Sequence, residues 1–401
     1  MIIKDFKMKE IYEGLYDGPH ATPPVTDSGA VFLGISNITK DGHIDLTDIK
    51  YISEEDLPKW TKRVTPKCGD IVFSYEASLN LYAIIPDGFW GCLGRRMALI
   101  RPDEEKAHGK YLYYYFFSPE WRATIAANTI TGATVDRIPI AKFPDFPIRL
   151  PEIEKQRRIA DILSKYDDLI ENNKKQIKFL EEAAHRLYKE WFVDLRFPGY
   201  EGTEIADGIP TGWIETTIDS FIKLQSGYAF KSSSFDDAGI YKIVTIKNVQ
   251  DGVFDGDNVN KIVDVPDKMP SHCKLQEGDS LLSLTGNVGR VCTVIGDNYL
   301  LNQRVAKIAS DYPYFSYCLL RSEKMFHDMN NLANGAAQQN LSPIRTGQMK
   351  VIKPDNEVLL KFEQMVKPIL EKKIVLNRDI LVATHARDRL LPKLMSGEIE
   401  V

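Results

Sequence analysis

The chain has 401 residues, 43% of them hydrophobic and 10% aromatic, which is enough for two or three domains with ordinary cores. Its formal net charge of −5 lacks the basic excess of a protein that binds nucleic acid by overall charge. The five cysteines form no Cys-x-x-Cys pair, and no run of about twenty apolar residues occurs. The composition argues against a zinc site, export and a membrane span, and it favours reduced thiols.

The first 150 residues show the patterns of short strands. Residues 31–42 read VFLGISNITKDG and residues 67–75 read KCGDIVFSY, and each is typical of strand, turn and strand with Asp-Gly or Gly-Asp as the turn signal. Tyr111 and Tyr114 fall in a predicted helix. The opening MIIKDFKMKE has no apolar signal core, so we expect an intracellular protein.

A long helix is predicted over about residues 152–194. Apolar residues recur there at alternating spacings of three and four for about four heptads, which is typical of a coiled coil. Pro151 suits the first turn and Pro198-Gly199 follows the end, so the helix would be about 60 Å long. Such a helix needs a partner for its single apolar seam. The predicted seam positions include Ile159, Leu163, Ile170, Ile177, Leu180 and Leu187.

The chain then repeats itself. GATVDRIPIAKFPDFPIRLP, which ends at Pro151, and GAAQQNLSPIRTGQMKVIKP, which ends at Pro354, have equal length, a Gly-Ala start and a proline end. Upstream, residues 242–252 match residues 31–42, and residues 276–284 match residues 67–75. The repeat is too long for a solenoid unit and indicates a duplicated module followed by a duplicated helix.

The duplicated helix supplies a partner for the first seam within the same chain. Because each module precedes its helix and the connector at 193–213 is short, the second helix returns most directly antiparallel to the first. We therefore predict α/β (α+β) modules: two similar globular domains separated by an intramolecular coiled coil with a pseudo-twofold axis. A parallel pair, or helices that pair with another copy of the chain, are the alternatives. The predicted seam positions of the second helix include Phe362, Val366, Ile369, Leu376, Ile380 and Leu390.

Two similar but non-identical modules held at a fixed separation suit a ligand with a twofold axis and a long repeat, and duplex DNA is such a ligand. Readers of half-sites on one face of B-DNA need centres about 34–36 Å apart, or a multiple of that distance. The paired helices would then act as a ruler. Because the modules differ in sequence, the target would be split and asymmetric.

A set of segments, specific in combination rather than singly, points to one known family. The segments are LPEIEKQRRIADIL (150–163), RLYKEWFVDLRFPG (186–199), IPTGW (209–213), SGYAFKSSSF (226–235), LNQRVAKI (301–308), LLPKLMSGEIEV (390–401) and DGPHATP (17–23). In these segments the chain resembles the specificity subunit of a type I restriction-modification enzyme. It departs from the pattern in one place, since no Gly-Trp pair like Gly212-Trp213 precedes the first module.

The resemblance implies four parts: target-recognition domain 1 at 1–150, helical spacer 1 at 151–196, the connector and target-recognition domain 2 at 197–354, and helical spacer 2 at 355–401. It implies a non-catalytic DNA-recognition subunit in the prokaryotic cytoplasm, with helices that also dock two methyltransferase subunits. Restriction/translocase subunits would join for cleavage. AdoMet and ATP would be bound by the partner subunits, and we expect no cofactor in this chain.

Reading a DNA sequence requires side-chain donors and acceptors at base edges, and phosphate contacts set the register. Glycine-flanked loops at 285–290 and 334–342 offer such groups in the second module, as do residues 131–137 in the first. Each has a plainer interpretation: a solvated amide-rich loop, a surface or internally paired arginine, or a histidine that caps a turn. The predicted DNA-binding residues are His20, Lys62, Arg63, Arg95, Arg96, Thr134, Arg137, Lys231, Asn287, Arg290, Arg304, Gln338, Gln339 and Asn340.

Motifs of two enzyme classes do not occur. The sequence has no Asp/Asn-Pro-Pro-aromatic loop for holding a flipped base, since Pro23-Pro24 is followed by Val25. It has no Gly-x-x-x-x-Gly-Lys-[Ser/Thr] phosphate loop, and its histidines and cysteines lack metal-ligand spacing, so no metal is expected. The alternative functions are a self-contained DNA methylase or nuclease and a protein-binding coiled-coil scaffold.

Overall fold

The computed structural model describes residues 3–132, 135–257, 259–333 and 339–401. The chain divides into two compact units: unit 1 comprises Met1–Leu169 and Ala383–Val401, and unit 2 comprises Ile170–Val382. Two long helices, α4 (Ile153–Tyr188) and α8 (Asn356–Ser396), each contribute a part to both units. Each unit therefore holds one sheet-rich module together with a segment of each long helix.

The module of unit 1 consists of short strands and three short helices. Its elements are β1 (Ile3–Lys7), β2 (Tyr12–Asp17), β3 (Ala30–Leu33), β4 (Lys50–Ile52), α1 (Leu57–Trp60), β5 (Ile71–Ser74), β6 (Tyr82–Ile84), β7 (Gly91–Leu93), β8 (Met97–Pro102), α2 (Gly109–Tyr115), α3 (Pro119–Asn128) and β9 (Pro147–Pro151). An antiparallel sheet has the order β2-β8-β5-β6, a second sheet has the order β4-β3-β7 with β3 and β7 parallel, and β1 pairs with β9.

The module of unit 2 repeats this order after a small hairpin in the connector. Its elements are β10 (Ile205–Ala206), β11 (Ile209–Pro210), β12 (Ile214–Thr217), β13 (Ile222–Ser226), β14 (Tyr241–Val244), β15 (Asn260–Ile262), β16 (Ser280–Ser283), β17 (Val291–Thr293), β18 (Tyr299–Leu301), β19 (Val305–Ser310), α5 (Pro313–Leu320), α6 (Glu323–Ala333), α7 (Pro343–Gly347) and β20 (Lys350–Lys353). The sheets β13-β19-β16-β17, β15-β14-β18 and β12-β20 reproduce those of unit 1 strand for strand. The predicted duplication of an α+β module is confirmed.

A buried asparagine shapes the same turn in both modules. After β3, Asn37 accepts from the backbone N–H of Gly34 at 3.0 Å and donates to the carbonyl of Asp45 at 3.0 Å. After β14, Asn248 accepts from the backbone N–H of Thr245 at 2.8 Å and makes the matching donation to a carbonyl, also at 2.8 Å. Because these amides satisfy backbone groups that burial would otherwise leave unpaired, the repeated asparagine has a structural role.

The Gly-Asp turns stand before the central strands β5 and β16 and not between two strands, which corrects the strand, turn and strand pattern expected there. In unit 1, Asp70 is buried and accepts from Arg101 Nε on neighbouring β8 at 2.8 Å. In unit 2, Asp279 accepts from Lys307 Nζ on β19 at 2.7 Å. Each aspartate thus ties the start of the central strand to the next strand by a charged hydrogen bond.

The first long helix begins within one residue of the predicted start, but Pro151 lies outside its first turn. Pro151 ends β9, and α4 starts at Ile153. At the other end a π-helical turn, Lys189–Val193, continues the helix, and Leu195 then adopts a left-handed backbone with φ 57°. Pro198-Gly199 follows and prevents further helix, because proline supplies no backbone donor.

The two long helices pack antiparallel within each unit. In unit 1, Ile159 near the start of α4 lies in one core cluster with Leu394 near the end of α8. In unit 2, Tyr188 at the end of α4 packs against Phe362 near the start of α8, with ring centroids 6.3 Å apart. The prediction of an antiparallel pair within one chain is confirmed.

Every predicted seam position is at least half-buried, which accounts for the pairing because each buried aliphatic side chain stabilises the fold by about 1.5–3 kcal/mol. The fully buried positions are Ile159, Leu163, Ile170, Phe362, Val366 and Leu376. The half-buried positions are Ile177, Leu180, Leu187, Ile369, Ile380 and Leu390.

The five cysteines form no disulfide; Cys68 is exposed and the others are buried. Burial raises the pKa of the Cys292 thiol to about 12. Across the described ranges, no helix is both long enough and apolar enough to cross a membrane. Within the same ranges, His, Cys, Asp and Glu side chains do not gather in threes that could hold a metal ion.

Candidate nucleic-acid interface

Four loops of unit 2 are joined by backbone hydrogen bonds into one surface, which we call loop cluster 2: residues 226–230, 284–290, 302–304 and 339–341. Leu341 N–H donates to the carbonyl of Leu284 at 2.7 Å, and Leu284 N–H donates to the carbonyl of Arg304 at 3.0 Å. Gly227 N–H reaches the carbonyl of Val305, directly after the third loop, at 3.1 Å. The amide-rich segments predicted from the sequence are therefore brought side by side.

Unit 1 contains the matching surface, loop cluster 1: residues 17–20, 75–80, 94–96 and 130–138 except 133 and 134. Ile138 N–H donates to the carbonyl of Tyr75 at 2.7 Å, and Tyr75 N–H donates to the carbonyl of Arg96 at 3.1 Å. Gly18 N–H donates to the carbonyl of Met97 at 2.7 Å. Hydrogen bonds at corresponding positions thus build the same frame twice.

A serine holds the second loop of each cluster. Ser74 Oγ donates to the carbonyl of Ser78, and Ser283 Oγ donates to the carbonyl of Asn287. Both serines are buried at the ends of β5 and β16. Sequence reasoning did not select them, although the alignment of KCGDIVFSY with QEGDSLLSL places the two serines at the same position.

The backbone of these second loops is left-handed at the same two places. In unit 1 the positions are Ala77 with φ 71° and Asn80 with φ 61°, and in unit 2 they are Gly286 with φ 69° and Gly289 with φ 80°. A left-handed alanine costs about 1 kcal/mol or more, so the surrounding contacts must hold it. Backbone strain of this kind is concentrated at functional sites.

Loop cluster 2 presents amides and arginines. Asn287, Gln339, Asn340 and Arg304 are exposed, and an isolated backbone bridge joins Asn340 to Thr285. Arg290 is half-buried, and its Nη1 donates to Gln250 Oε1. Exposed amides carry a donor and an acceptor side by side, the pattern that matches adenine in the major groove.

Loop cluster 1 presents arginines paired with acids. Arg96 Nε lies 3.1 Å from Glu76 Oε1. The backbone of Glu76 also forms an isolated antiparallel β-bridge with the backbone of Arg137. Arg63 pairs with Asp17, whose other carboxylate oxygen lies 3.1 Å from His20 Nε2. The plainer interpretation of an internally paired arginine therefore describes Arg63 and Arg96 as the structure shows them.

The remaining predicted residues have simpler surroundings. Arg95 and Arg137 are exposed within loop cluster 1, and Lys62 is exposed next to Arg63 in the chain. Lys231 is exposed and directly follows the first loop of loop cluster 2. Thr134 and Gln338 lie outside the described residues. The roles assigned to all these side chains stay predictions.

Tyr75 is a component of loop cluster 1 that sequence reasoning missed. Only 7% of it is exposed, and burial, followed by the nearby charges of Asp17 and Glu76, raises the pKa of its hydroxyl. Arg63 and Arg96 lie close enough to oppose that increase. The four charged side chains therefore surround one tyrosine, although 46 residues of sequence separate Asp17 from Arg63. No local sequence pattern reports such a grouping.

The two clusters share a frame and differ in chemistry. Guanidinium groups can contact guanine or phosphate, and amides can contact adenine, so both clusters carry groups suited to nucleic acid. Their side chains differ at corresponding positions. Arg95 in loop cluster 1 corresponds to Gln303 in loop cluster 2, although the next residue is an arginine in both, Arg96 and Arg304. The two clusters therefore present different donors and acceptors on the same backbone frame.

A family model described as the type I restriction modification DNA specificity domain matches the chain twice, at residues 27–182 and 210–355. The two matches cover more than half of the chain, and one falls mainly on each module. Among similar proteins, the type I restriction enzyme MjaIX specificity subunit of Methanocaldococcus jannaschii is 28% identical in an alignment 371 positions long, which covers 87% of this chain and 82% of that protein.

The type I restriction enzyme HindI specificity subunit of Haemophilus influenzae is 22% identical in an alignment 440 positions long, which covers 92% of this chain and 94% of that protein. A crystal structure of a type I restriction-modification system S subunit from M. genitalium shares the fold, with a TM-score of 0.61 and 16% identity over 98% of this chain and 96% of that chain. The predicted resemblance is confirmed, and with it the assignment to the DNA-recognition component as opposed to a catalytic one. The chain belongs to the family of type I restriction-modification DNA specificity domains.

Proposed function

We propose that this chain reads a split, asymmetric DNA target, with loop cluster 1 reading one half and loop cluster 2 the other. The observation that carries the proposal is the repeated backbone frame with different side chains on it. Equal frames approach DNA in equal ways, whereas unequal donors and acceptors select unequal bases. The fourteen predicted DNA-binding residues, from His20 to Asn340, are the candidate contacts.

The long helices are proposed to set the gap between the two half-sites. α4 has 36 residues and α8 has 41, which correspond to about 54 Å and about 62 Å of helix. These lengths exceed the spacing of about 34–36 Å between half-sites one turn apart. Deleting one heptad from both helices should shorten the tolerated gap or abolish binding. Retained activity on the original gap would reject the ruler.

The helices are also proposed to dock two methyltransferase subunits, with restriction/translocase subunits joining for cleavage. Support comes from large apolar side chains that the helices leave in water: Phe179 is 67% exposed, Val382 62% and Leu360 53%. Contiguous exposed apolar surface is typical of interaction sites, and these side chains are proposed to belong to such a surface. In this assembly AdoMet and ATP bind to the partners, whose positive charge offsets the net charge of −5 on this chain.

Substitution Phe179→Asp tests the docking surface. We expect it to reduce co-purification with the methyltransferase subunit at least tenfold, because it places a carboxylate in an apolar contact. Ile240→Asp is the matched control, since Ile240 is 62% exposed but lies in the module of unit 2. Equal assembly of both variants would exclude this face.

The function itself is tested by mapping methylated bases across the host genome with and without the gene. We expect deletion to remove methyladenine from one bipartite motif and to leave other methylation intact. An unchanged methylation pattern would reject DNA reading by this chain. Adenine methylation by the purified chain alone would favour a self-contained methylase.

A further inference from the structure

One turn of unit 2, residues 250–253, connects loop cluster 2 to the long helices. Arg290 from the second loop donates to Gln250 Oε1. The next strand residue, Val291, accepts from Gly252 N–H at 2.9 Å. A backbone bridge between Val249 and Phe254 closes the turn at its base. The position of Arg290 therefore depends on where this turn is held.

Arg321, at the end of α5, holds the turn from its other side. Its Nε donates to Asp251 Oδ1 at 3.1 Å. A Cβ added to Gly252 would lie 2.7 Å from Arg321 Nη2, and Gly252 has φ +71°, so the turn passes directly over the guanidinium group. The side chain of Arg321 is only 9% exposed. The contact is therefore a buried one on the arginine side.

The same guanidinium group is anchored in the core between the long helices. Arg321 Nη1 pairs with Glu181 of α4 and lies 2.8 Å from the Tyr317 hydroxyl. Tyr317 donates to Glu181 at 2.8 Å, and Lys373 of α8 also pairs with Glu181. Lys373 is 2% exposed, and Glu181 is the only carboxylate paired with both cations among the described residues, so the two buried cations share one carboxylate.

The corresponding turn of unit 1 lies between the bridged residues Ile38 and Ile44, and different contacts hold it. The Tyr113 hydroxyl donates to the carbonyl of Gly42 at 3.0 Å, and the ring packs on Tyr114, with centroids 5.1 Å apart. Three residues separate Tyr114 from Ser118, the serine that caps the next helix, whereas four separate Tyr317 from the capping Ser322. Arg321 lies in the longer segment, so the charged connection belongs to unit 2.

We propose that Arg321 is a positioning residue for the second half-site: it clamps turn 250–253 to Glu181 and so holds Arg290 and the loop 284–290 in the geometry that selects bases. The proposal rests on the proposed function, because it takes loop cluster 2 as a DNA-reading surface. It adds a residue that touches no DNA and yet sets the discrimination of one half of the target.

The clamp can be opened without disturbing the buried cluster. Asp251 is 67% exposed, so Asp251→Ala removes one hydrogen bond from Arg321 and leaves the pairing of Arg321 with Glu181 in place. Gln250→Ala removes the hydrogen bond that Arg290 donates to the turn. The double variant Gln250→Ala/Asp251→Ala severs both connections. Asp251→Asn retains an acceptor for Arg321 Nε and serves as the conservative variant. Asp267→Ala is the control, because Asp267 is an exposed acid of the same module.

The measurement is the kcat/KM of methylation by the full chain assembled with its methyltransferase subunits, on the mapped target and on duplexes with one base changed in either half. We expect the double variant to lose about tenfold in discrimination at one half-site, within the range of one mismatched base pair. Discrimination at the other half-site and the thermal midpoint of unfolding should stay unchanged. The conservative variant Asp251→Asn should keep most of the discrimination that the double variant loses. The control Asp267→Ala should match the wild type.

Variants of the candidate DNA contacts distinguish the positioning role of Arg321 from the proposal that loop cluster 2 reads DNA. Asn287→Ala and Arg304→Ala should weaken discrimination at that same half-site if loop cluster 2 reads DNA. If they do so while the double variant discriminates normally, the positioning role of Arg321 is overturned and the interface stands. If none of these variants alters discrimination, both proposals fall. A loss at both half-sites, or a lower thermal midpoint with unchanged discrimination, also overturns the positioning role.

Discussion

Unit 1 and unit 2 tie their modules to the long helices with the same kinds of group around one tyrosine. In unit 1 the Tyr114 hydroxyl donates to Asp167 of α4, which accepts from Arg387 of α8 at 2.7 Å. In unit 2 the Tyr317 hydroxyl donates to Glu181 of α4, which pairs with Lys373 of α8. A module tyrosine, a carboxylate of the first helix and a cation of the second occur in both.

The difference lies in where the charges stand and how many there are. Tyr114 and Tyr317 are at matching positions of the repeat, but the carboxylates and cations of the helices are not. Unit 2 adds Arg321 and buries its lysine more deeply than unit 1 buries Arg387. The two units therefore share a backbone fold but connect module and helices through polar groups at different positions. We expect a substitution in one of these groups to weaken that unit alone.

The largest expected effect comes from Glu181→Gln in unit 2. The substitution leaves Lys373 buried without a paired carboxylate among the described residues and leaves Arg321 with only the exposed Asp251. Breaking a buried pair in this way costs about 3–5 kcal/mol. Hydrogen exchange of the amides of α4 within unit 2 should report this loss, while the amides of unit 1 keep their protection. Glu357→Gln, which breaks an exposed pair with Lys361, is the matched control and should change neither.

Acid should weaken the same tie, by less than the substitution does, because protonation is only partial at moderate pH. Burial opposes ionisation of Glu181, but His185, Lys373 and Arg321 together hold the pKa of its carboxyl below the ordinary value of 4.5. A lowered pKa in the folded state means that the stabilisation is complete above that ordinary value and declines as the pH falls below it. Unfolding followed from pH 7 to pH 3 should show a smaller decline in Glu181→Gln than in the wild type.

In unit 1, Arg387→Ala should cost about 2 kcal/mol. Asp167 would lose one charged hydrogen bond and keep the one from Tyr114, so the carboxylate is not left alone. Hydrogen exchange should show the loss at the start of α4 and in α2. Equal loss in unit 2 would contradict the independence of the two ties.

The smallest expected effect is a gain of about 1 kcal/mol from Asn173→Leu. Asn173 is 3% exposed, and its Nδ2 has no hydrogen-bond partner among the described residues. The matching position of the second helix is Leu376, which is equally buried. Removing an unsatisfied amide from an apolar seam stabilises the helix pair. A lower thermal midpoint in Asn173→Leu would show that the asparagine fixes the register of the pair.

Periodic features were predictable from the sequence. The heptad spacing of residues such as Ile159 and Leu163 reports a buried seam directly, because one face of a helix repeats every three or four residues. The duplication was visible in matched segments, and connectivity favoured the antiparallel pair. The parallel pairing of β3 with β7 was not visible, since strand order depends on contacts distant in sequence.

Within the candidate site, sequence reasoning found the loops but not the groups that hold them. Arg290 and Asn340 were selected by residue type and position in glycine-flanked loops, and Arg96 was selected as one of an arginine pair. Tyr75 and Arg321 were missed, because their importance lies in the partners that folding brings to them. A buried tyrosine or arginine has no local signature; its role is defined by contacts such as the one between Arg321 and Glu181 across 140 residues.

The most direct test of two independent readers on one frame is to replace residues 1–150 with the corresponding module of a relative and to map the methylated motif. We predict that one half of the bipartite target changes to that of the donor while the other half and the gap between them stay the same. A change in both halves, or an unchanged target, would contradict the account.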